Sequence, residues 1–252
     1  MKPCASVSEG SASGKPGDVL TTLARQVALP APDIDVWLMS LHANAGELRQ
    51  FAVHLSHDEL VRAERFHFEP DRRRYVVARG MLRMLLGRHL DRAPADIAFW
   101  YEANGKPRLT ATAPILHFNV SHSADMALFA FSRQCVPGVD IEHIDRDIDV
   151  AALAQRFFAP RECAELMRIP TACRKHAFIT LWTRKEAVVK SIGAGLQFPL
   201  HDFEVTVAPD APPRLLRLAS GCAADWTLYP VDAGAGYAAT VAAYRASKIQ
   251  PG

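Results

Sequence analysis

Two carboxylates separated by a single residue stand in the segment Pro137-Gly-Val-Asp-Ile-Glu-His143. If this segment is a β-strand, Asp140 and Glu142 lie on one face, while Val139 and Ile141 point to the other and can enter a core. Two acids on one face of a strand either meet water at the edge of a sheet or bind something positive. The heptapeptide alone favours the solvated edge, so the choice depends on what the rest of the chain brings near it.

A second group of ionisable residues lies in the segment Leu181–Leu196. On a helix, Trp182, Glu186 and Lys190 recur every four residues and share one face, with Lys185 beside it. The simplest interpretation is a surface Glu–Lys pair, which stabilises a helix by about 0.2–0.5 kcal/mol. The large tryptophan and the second lysine on the same side indicate more than a solvated surface.

Together the two segments predict a metal site. Asp140 and Glu142 from a strand and Glu186 from a helix would supply three hard oxygen ligands, which suit Mg²⁺. Because Mg²⁺ completes its coordination with water and substrate phosphates, Lys185 and Lys190 could pair with those phosphates. Carboxylates that hold a metal beside lysines are typical of phosphoryl-transfer sites.

The composition is that of an ordinary globular protein. Of 252 residues, 49% are apolar and 22% are charged, and the formal net charge is +2. This balance does not favour indiscriminate binding to nucleic acids or membranes. The five cysteines are widely spaced and form no Cys-x-x-Cys pair, which indicates neither a zinc site nor a disulfide framework and fits a reducing cytosol.

The two ends of the chain are predicted to lie outside the folded part. Residues 1–18 contain alanine, serine, glycine, proline and charges, so we expect a flexible leader rather than a signal peptide. Residues 247–252 are expected to form a frayed tail. No apolar run approaches the roughly 18 residues that a membrane-spanning helix needs.

The elements that must position the acids and lysines are a mixture of strands and helices. The residue pattern predicts strands at 34–41, 115–121, 126–131, 138–144, 203–207, 226–229 and 237–244. It predicts helices that start near Ser56, extend over 71–90, and lie at about 149–157, 160–167 and 173–192. Asn104-Gly-Lys-Pro107 predicts a turn.

The succession of strands and helices is similar in two halves that meet near Pro137. We therefore expect an α/β fold of the α+β type, built from two similar subdomains over residues 19–136 and 137–246. Packed as a pseudo-dimer, these subdomains would leave a cleft between them, which is a common place for a ligand.

Four motifs taken together resemble those of 4′-phosphopantetheinyl transferases. Gly138-Val-Asp-Ile-Glu142, followed by Trp182-Thr-Arg-Lys-Glu-Ala-Val-Val-Lys190, is similar to the paired signature of that family. His117-Phe-Asn-Val-Ser-His-Ser123, preceded by Asn104-Gly-Lys-Pro107, resembles the larger, surfactin-synthetase-activating (Sfp-like) type rather than the small trimeric acyl-carrier-protein synthases. The matching motifs run from about Ser56 to Gly195. The resemblance implies a pseudo-symmetric monomer with coenzyme A in the cleft.

The resemblance also implies roles for residues of the second half. Asp140, Glu142 and Glu186 match the magnesium ligands of the family. Lys185 and Lys190 match lysines near the pyrophosphate and the reacting serine, where one of them would stabilise the leaving charge. Glu186, directly or through a water molecule, is the expected base, since a serine hydroxyl is too weak an acid to react unaided.

For the first half, the resemblance implies contacts with the nucleotide. Ser121 and His122 match a loop that touches the coenzyme A phosphates, and Lys106 matches a lysine beside the nucleotide. Arg62 and Arg74 stand where the family places basic residues around the 3′-phosphate. A neighbouring phosphate dianion could protonate His122, whose charge would then complement it.

The activity implied by the resemblance is transfer of the 4′-phosphopantetheine group of coenzyme A to a serine of a carrier protein. The expected carriers are acyl, polyketide or peptidyl carrier proteins, the product released is adenosine 3′,5′-bisphosphate, and the expected enzyme is a cytoplasmic monomer that uses Mg²⁺. No nucleic acid or membrane is an expected partner. Two alternatives stay open: another Mg²⁺-dependent phosphoryl-transfer enzyme, such as a nuclease or phosphatase, and a non-catalytic nucleotide-binding module.

Overall fold

The structure, a computed structural model, describes residues 22–102, 105–110, 115–193, 198–219 and 221–245. The helices are α1 Ala45–Ala52, α2 His57–Glu64, α3 Glu69–Leu90, α4 Val150–Phe157, α5 Pro160–Arg168 and α6 Thr171–Ile192. The strands are β1 Ala24–Val27, β2 Ile34–Ser40, β3 Phe99–Tyr101, β4 Pro107–Leu109, β5 His117–Ser123, β6 Met126–Ser132, β7 Val136–His143, β8 Phe203–Val205, β9 Leu215–Leu218, β10 Trp226–Pro230 and β11 Tyr237–Tyr244. Within these ranges, no helix has both the length and the apolar character needed to cross a membrane.

The mixture of helices and antiparallel sheets confirms the predicted fold class. The two long helices and the predicted strands are present, most with ends within two residues of their predicted positions. The pattern missed the short elements β1, α1, β3, β4 and β9, each of eight residues or fewer. The predicted leader 1–18, the tail 247–252 and Asn104 of the predicted turn lie outside the described residues.

Both halves build their main sheet in the same order. The first half has a four-stranded antiparallel sheet in the order β1-β2-β6-β5, and the second has a three-stranded one in the order β10-β11-β7. In the first half, β2 precedes the helices and pairs with β6, the last strand, which also pairs with β5. In the second half, β7 precedes the helices and pairs with β11, the last strand, which also pairs with β10. Each half also contains one 22-residue helix, α3 or α6. These features are compatible with the pseudo-dimer and with subdomains 19–136 and 137–246, both of which stay predictions.

Three apolar clusters hold the fold together. One lies under α3 in the first half and includes Phe51 and Leu85, and one lies under α6 in the second half and includes Phe203. The third lies between the two main sheets and contains Val36 of β2 and Ile141 of β7. The halves therefore share a core, which fixes β7 relative to the first half.

Helix α6 covers one face of β7 at unusually short range. A Cβ atom at Gly138 would lie 2.0 Å from the Ala187 carbonyl oxygen, so only glycine allows this approach. Because side chains alternate along a strand, Asp140 and Glu142 lie on the same face as Gly138 and are directed towards α6. The opposite face carries Ile141 and Val139, which enter the shared core as predicted.

Strand β5 lies along the edge of β7, and side chains of β5 accept hydrogen bonds from backbone amides of β7. Asn119 Oδ1 accepts from the Val139 amide at 3.0 Å, and Ser123 Oγ accepts from the His143 amide at 3.1 Å. Between them, Ser121 Oγ accepts a longer bond from the Ile141 amide. This ladder joins the two halves and sets β5 at the point where the acids of β7 face α6.

Candidate active site

Asp140 is a buried carboxylate rather than the water-facing acid that strand alternation allowed. Its residue is 3% exposed. Oδ1 accepts from Lys190 Nζ at 2.6 Å and from Ser121 Oγ at 2.9 Å, whereas Oδ2 has no hydrogen-bond partner in the described part of the chain. Burial raises the pKa of Asp140, although Lys190 and Ser121 oppose the shift. The ionised form therefore has room for a further positive partner.

Glu142 is half-buried and is held by two donors. Its Oε2 accepts from Ser123 Oγ at 2.6 Å and from an Arg146 guanidinium nitrogen at 2.9 Å. Ser123 thus binds the β7 backbone and the Glu142 side chain at once. The carboxylate is fixed at the open end of the acid cluster, which we define as Asp140, Glu142 and Glu186.

Glu186 approaches the two acids from α6. It is 9% exposed, and burial raises its pKa, an effect that the charges of Asp140 and Glu142 reinforce and that of Lys190 opposes. The surface ion pair between Glu186 and Lys190, the simpler alternative, is not made, because Lys190 pairs with Asp140 instead. The acids predicted to act together therefore influence one another electrostatically.

The acid cluster has the oxygen ligands that a divalent cation prefers, but its side chains are not arranged to enclose one. Over the ranges that the structure describes, no three histidine, cysteine, aspartate or glutamate side chains are close enough to enclose a metal ion. Asp140 Oδ2 has no hydrogen-bond partner among the described residues, and burial raises the pKa values of Asp140 and Glu186. A hard divalent ion is the partner that such oxygens prefer.

The structure corrects the role predicted for Lys185. Its side chain is completely buried, and its ammonium donates to both Glu162 carboxylate oxygens and to the Phe203 carbonyl, each at 2.7 Å. All three donors of the ammonium are therefore used inside the second half. Lys185 is a structural residue that ties α6 to α5 and β8 and does not reach a phosphate near the acid cluster.

Lys106 contacts the backbone of Lys190, the lysine that pairs with Asp140. Lys106 Nζ donates to the Lys190 carbonyl oxygen at 2.9 Å, which joins the β3–β4 connection to α6. Burial, with a smaller contribution from Arg108, lowers the pKa of Lys106 to about 8. The Lys106 side chain can therefore gain or lose its proton near pH 8.

A cavity of about 470 Å³ lies in the first half and contains three of the predicted nucleotide residues, Arg62, Arg74 and His122. Aromatic rings form much of its wall, contributed by Phe66, Tyr75 and Tyr101. Gly105 and Pro107, which flank Lys106, also line it. Aromatic walls with guanidinium groups suit a flat base that carries phosphate.

The arginines of the cavity are held in different ways. Arg74 donates to Asp125 Oδ1 at 2.8 Å and to Asp71 Oδ1 at 3.0 Å, and these bonds raise its pKa further. Arg62 is exposed, with its guanidinium 5.7 Å from the centroid of the Tyr75 ring. Arg62 can therefore turn towards a ligand more easily than Arg74.

Arg79 also lines the cavity, and the sequence interpretation missed it. Its guanidinium is buried, donates to Glu59 and to the Tyr101 hydroxyl, and lies 4.3 Å from the centroid of the Phe99 ring. The available signal was its position on α3, since residues 75, 78, 79 and 82 of that helix all line the cavity. Arg79 supplies a fixed positive charge.

Strand β5 connects the cavity to the acid cluster. Ser121 contacts Asp140 and Lys190, whereas the next residue, His122, lines the cavity. Desolvation by the surrounding protein, followed by the charge of Lys190, lowers the pKa of His122, so the ring is neutral near pH 7 without a ligand. The cavity and the acid cluster therefore each contain residues of β5, and Lys185 belongs to neither.

Two family descriptions match most of the chain. Residues 137–242 match the 4′-phosphopantetheinyl transferase superfamily, and residues 42–134 match the N-terminal region of a 4′-phosphopantetheinyl transferase. These ranges contain every residue that we assign to the cavity except Leu41, and every residue of the acid cluster.

Individual relatives cover much of the chain. It is 37% identical over 192 residues to the 4′-phosphopantetheinyl transferase HetI of Nostoc sp., an alignment that spans 75% of this chain and 80% of the relative. It is 34% identical to psf-1 of Bacillus pumilus, over 65% of this chain and 69% of the relative. Against Sfp of Bacillus subtilis the identity is 30%, over 65% of this chain and 71% of the relative.

Proposed function

The chain belongs to the 4′-phosphopantetheinyl transferase superfamily, and on that premise we propose that it transfers the 4′-phosphopantetheine group of coenzyme A to a serine hydroxyl of a carrier protein. The carrier is an acyl, polyketide or peptidyl carrier protein, and adenosine 3′,5′-bisphosphate is released. The nuclease, phosphatase and binding-module alternatives are set aside, because the relatives that match across both halves are transferases of one type.

The observation that carries the proposal is that adjacent residues of β5 belong to the cationic cavity and to the network of the acid cluster. Ser121 belongs to the Asp140–Lys190 network, and His122 beside it lines the cavity. Coenzyme A has a phosphorylated nucleoside at one end and a pyrophosphate next to it. A ligand of that shape can place its nucleoside in the cavity and its pyrophosphate at the cluster.

In this arrangement the first half recognises the nucleotide. Arg62, Arg74 and Arg79 surround the 3′-phosphate, whose negative charge guanidinium groups bind well. His122 lies between this phosphate and the pyrophosphate, and binding of either dianion would raise its lowered pKa and favour a second proton. Lys106 lies beside the nucleotide at the β3–β4 connection.

The second half provides the site of reaction. We propose that Asp140, Glu142 and Glu186 hold Mg²⁺, which when bound would neutralise charge on the pyrophosphate oxygens. The unpartnered Oδ2 of Asp140 supports this assignment.

The chain's own residues position and activate the reactants. The carrier serine oxygen attacks the phosphorus next to pantetheine, and the bond from that phosphorus to the bridging oxygen breaks, with the electron pair leaving on adenosine 3′,5′-bisphosphate. Glu186 accepts the serine proton, directly or through water. Lys190 donates to the oxygen on which charge develops.

The proposal includes a cytoplasmic monomer. The cavity and the acid cluster both use residues of one chain, which supports a monomer. Cys135, Cys163, Cys173 and Cys222 are unpaired thiols, as expected in a reducing compartment.

The proposal is tested by incubating the protein with coenzyme A, Mg²⁺ and unmodified carrier proteins of the acyl, polyketide and peptidyl classes. We expect the intact mass of at least one carrier to increase by one phosphopantetheine group, with no increase when its acceptor serine is replaced by alanine. Coenzyme A cleavage without attachment to any carrier would instead indicate a hydrolase and contradict the proposal.

A further inference from the structure

Lys190 pairs with one acid of the cluster, Asp140, in the ligand-free protein. Its ammonium lies 2.6 Å from Asp140 Oδ1 and 2.9 Å from Ser121 Oγ. The same charge acts on Glu186, whose pKa it lowers against the effect of burial. A cation of the protein itself therefore already balances part of the charge to which a metal ion would bind.

Among the described residues, Asp140 Oδ2 is free to meet a metal ion, but an ion there would lie close to the Lys190 ammonium on Oδ1 and would be repelled by it. Two cations bound to one buried carboxylate would lie a few ångströms apart in a region with little water, where their repulsion is strong. Either the metal ion stays out or Lys190 moves. The metal therefore has to compete with a cation tethered to the same chain.

The geometry indicates that the lysine is the partner that moves. The Asp140 side chain is 4% exposed and belongs to β7, which α6 covers, whereas the Lys190 side chain is 29% exposed and has a flexible stem. Ser121 already donates to Asp140 Oδ1 and would keep that carboxylate in place after the ammonium leaves. The backbone of Lys190 stays fixed, because its carbonyl accepts from Lys106.

We propose that Lys190 is a resident cation of the acid cluster that exchanges Asp140 for a phosphate oxygen of the ligand when the metal ion enters. The inference rests on the proposed function for the identity of that ligand, a pyrophosphate. It adds an order to binding: the metal ion binds weakly to the free protein and much more tightly once the pyrophosphate offers Lys190 another anionic partner.

By thermodynamic linkage the effect is reciprocal. If coenzyme A strengthens metal binding by a given factor, the metal strengthens coenzyme A binding by the same factor. A coupling of about tenfold or more is expected, within the usual range of about 5–150-fold.

The test measures Mg²⁺ binding by isothermal titration calorimetry, without carrier protein, in the presence and absence of coenzyme A. For the parent protein we expect the Mg²⁺ dissociation constant to fall at least about tenfold when coenzyme A is present. Lys190→Met should bind Mg²⁺ without coenzyme A at least about tenfold more tightly than the parent, with most of the coupling lost. Lys190→Arg keeps the charge and should keep weak binding to the free protein.

A matched control is Lys175→Met, which removes a lysine that pairs with Asp145 at 3.4 Å outside the acid cluster. It should leave the Mg²⁺ dissociation constants unchanged. Thermal melting confirms that each variant is folded. If Lys190→Met does not fold, the parent titrations decide alone, and equal Mg²⁺ affinity with and without coenzyme A overturns the inference.

Unchanged Mg²⁺ affinity in a folded Lys190→Met also overturns it. Either result leaves the proposed function intact if the parent still modifies a carrier protein. Failure of every carrier to be modified would contradict the function instead, so the two failures are distinguishable.

Discussion

Lys185 and Glu186 are consecutive residues of α6, and their side chains belong to different parts of the protein. The Lys185 ammonium is enclosed in the second half, 2.7 Å from both carboxylate oxygens of Glu162. The Glu186 carboxylate instead experiences the charges of Asp140 and Glu142 on β7. One turn of α6 therefore holds the second half together and also completes the acid cluster.

Breaking the Lys185–Glu162 pair should reduce stability. Glu162→Gln leaves the buried ammonium without an opposite charge, and we expect a loss of about 3 kcal/mol or more in the free energy of unfolding by urea. Adding Lys185→Met to that variant removes the unpaired charge and should recover part of the loss. A Lys185→Met protein that is as stable as the parent but fails to bind coenzyme A would restore the phosphate role that we have rejected.

Gly138→Ala should also be strongly destabilising. The added Cβ would lie 2.0 Å from the Ala187 carbonyl oxygen and 2.5 Å from the Ser191 amide nitrogen, so β7 and α6 must move apart. We expect a loss of about 3 kcal/mol, at the upper end for overpacking, measured by urea unfolding. Gly105→Ala is the control: its φ is 79° but its Cβ would meet no atom within 4 Å, so it should cost only about 1 kcal/mol. Equal losses would contradict the close packing.

Arg62→Met should weaken coenzyme A more than dephospho-coenzyme A, because only the former carries the 3′-phosphate. Arg62 is exposed, so the melting temperature should not change. By titration we expect about a tenfold loss for coenzyme A, equivalent to one charged hydrogen bond, and little change for the dephospho form. Arg88→Met, which removes a guanidinium 5.2 Å from the Trp37 ring away from the cavity, is the control and should affect neither ligand. An equal loss of affinity for both ligands would indicate that Arg62 does not contact the 3′-phosphate.

The lowered pKa of Lys106 predicts a pH dependence of binding. Its pKa of about 8 lies below the usual value of 10.5, chiefly because of burial, so the ammonium loses its proton as the pH rises above 8. Coenzyme A affinity should therefore fall between about pH 7 and pH 9. Lys106→Arg stays charged and should show a flatter profile. The free energy of unfolding changes in the opposite direction. Burial of the charged Lys106 destabilises the folded state below about pH 8, and this destabilisation is relieved as the pH rises from 8 towards the unfolded-state pKa of 10.5. Parallel profiles for parent and variant would show that Lys106 does not contact the nucleotide.

The sequence predicts well those features that depend on local patterns. Alternation along 138–144 predicted that Val139 and Ile141 face a core, and helical spacing predicted α3 and α6. The motifs also led to the family that the comparisons support. Short elements such as β3 and β9 were missed because three or four residues carry too little periodicity.

Burial and pairing depend on tertiary contacts and could not be predicted locally. The heptapeptide alone favoured a water-facing Asp140, but α6 covers it because Gly138 permits a close approach. Helical spacing allowed Lys190 to pair with Glu186 four residues earlier, yet it reaches Asp140, fifty positions away in sequence. Lys185 could not be distinguished from Lys190, because its partner Glu162 belongs to another helix.

The most direct test of the central claim, that the acid cluster carries out metal-dependent transfer, is the rate of carrier modification by Glu186→Gln across a range of Mg²⁺ concentrations. The rate is read from the mass shift of the carrier, and thermal melting without ligand should match the parent. We predict a rate at saturating Mg²⁺ that is lower by about a hundredfold or more, the scale expected when acid–base assistance is lost. Full recovery with excess Mg²⁺ would make Glu186 a ligand only and place the base elsewhere. An unchanged rate at every concentration would contradict the account of this site.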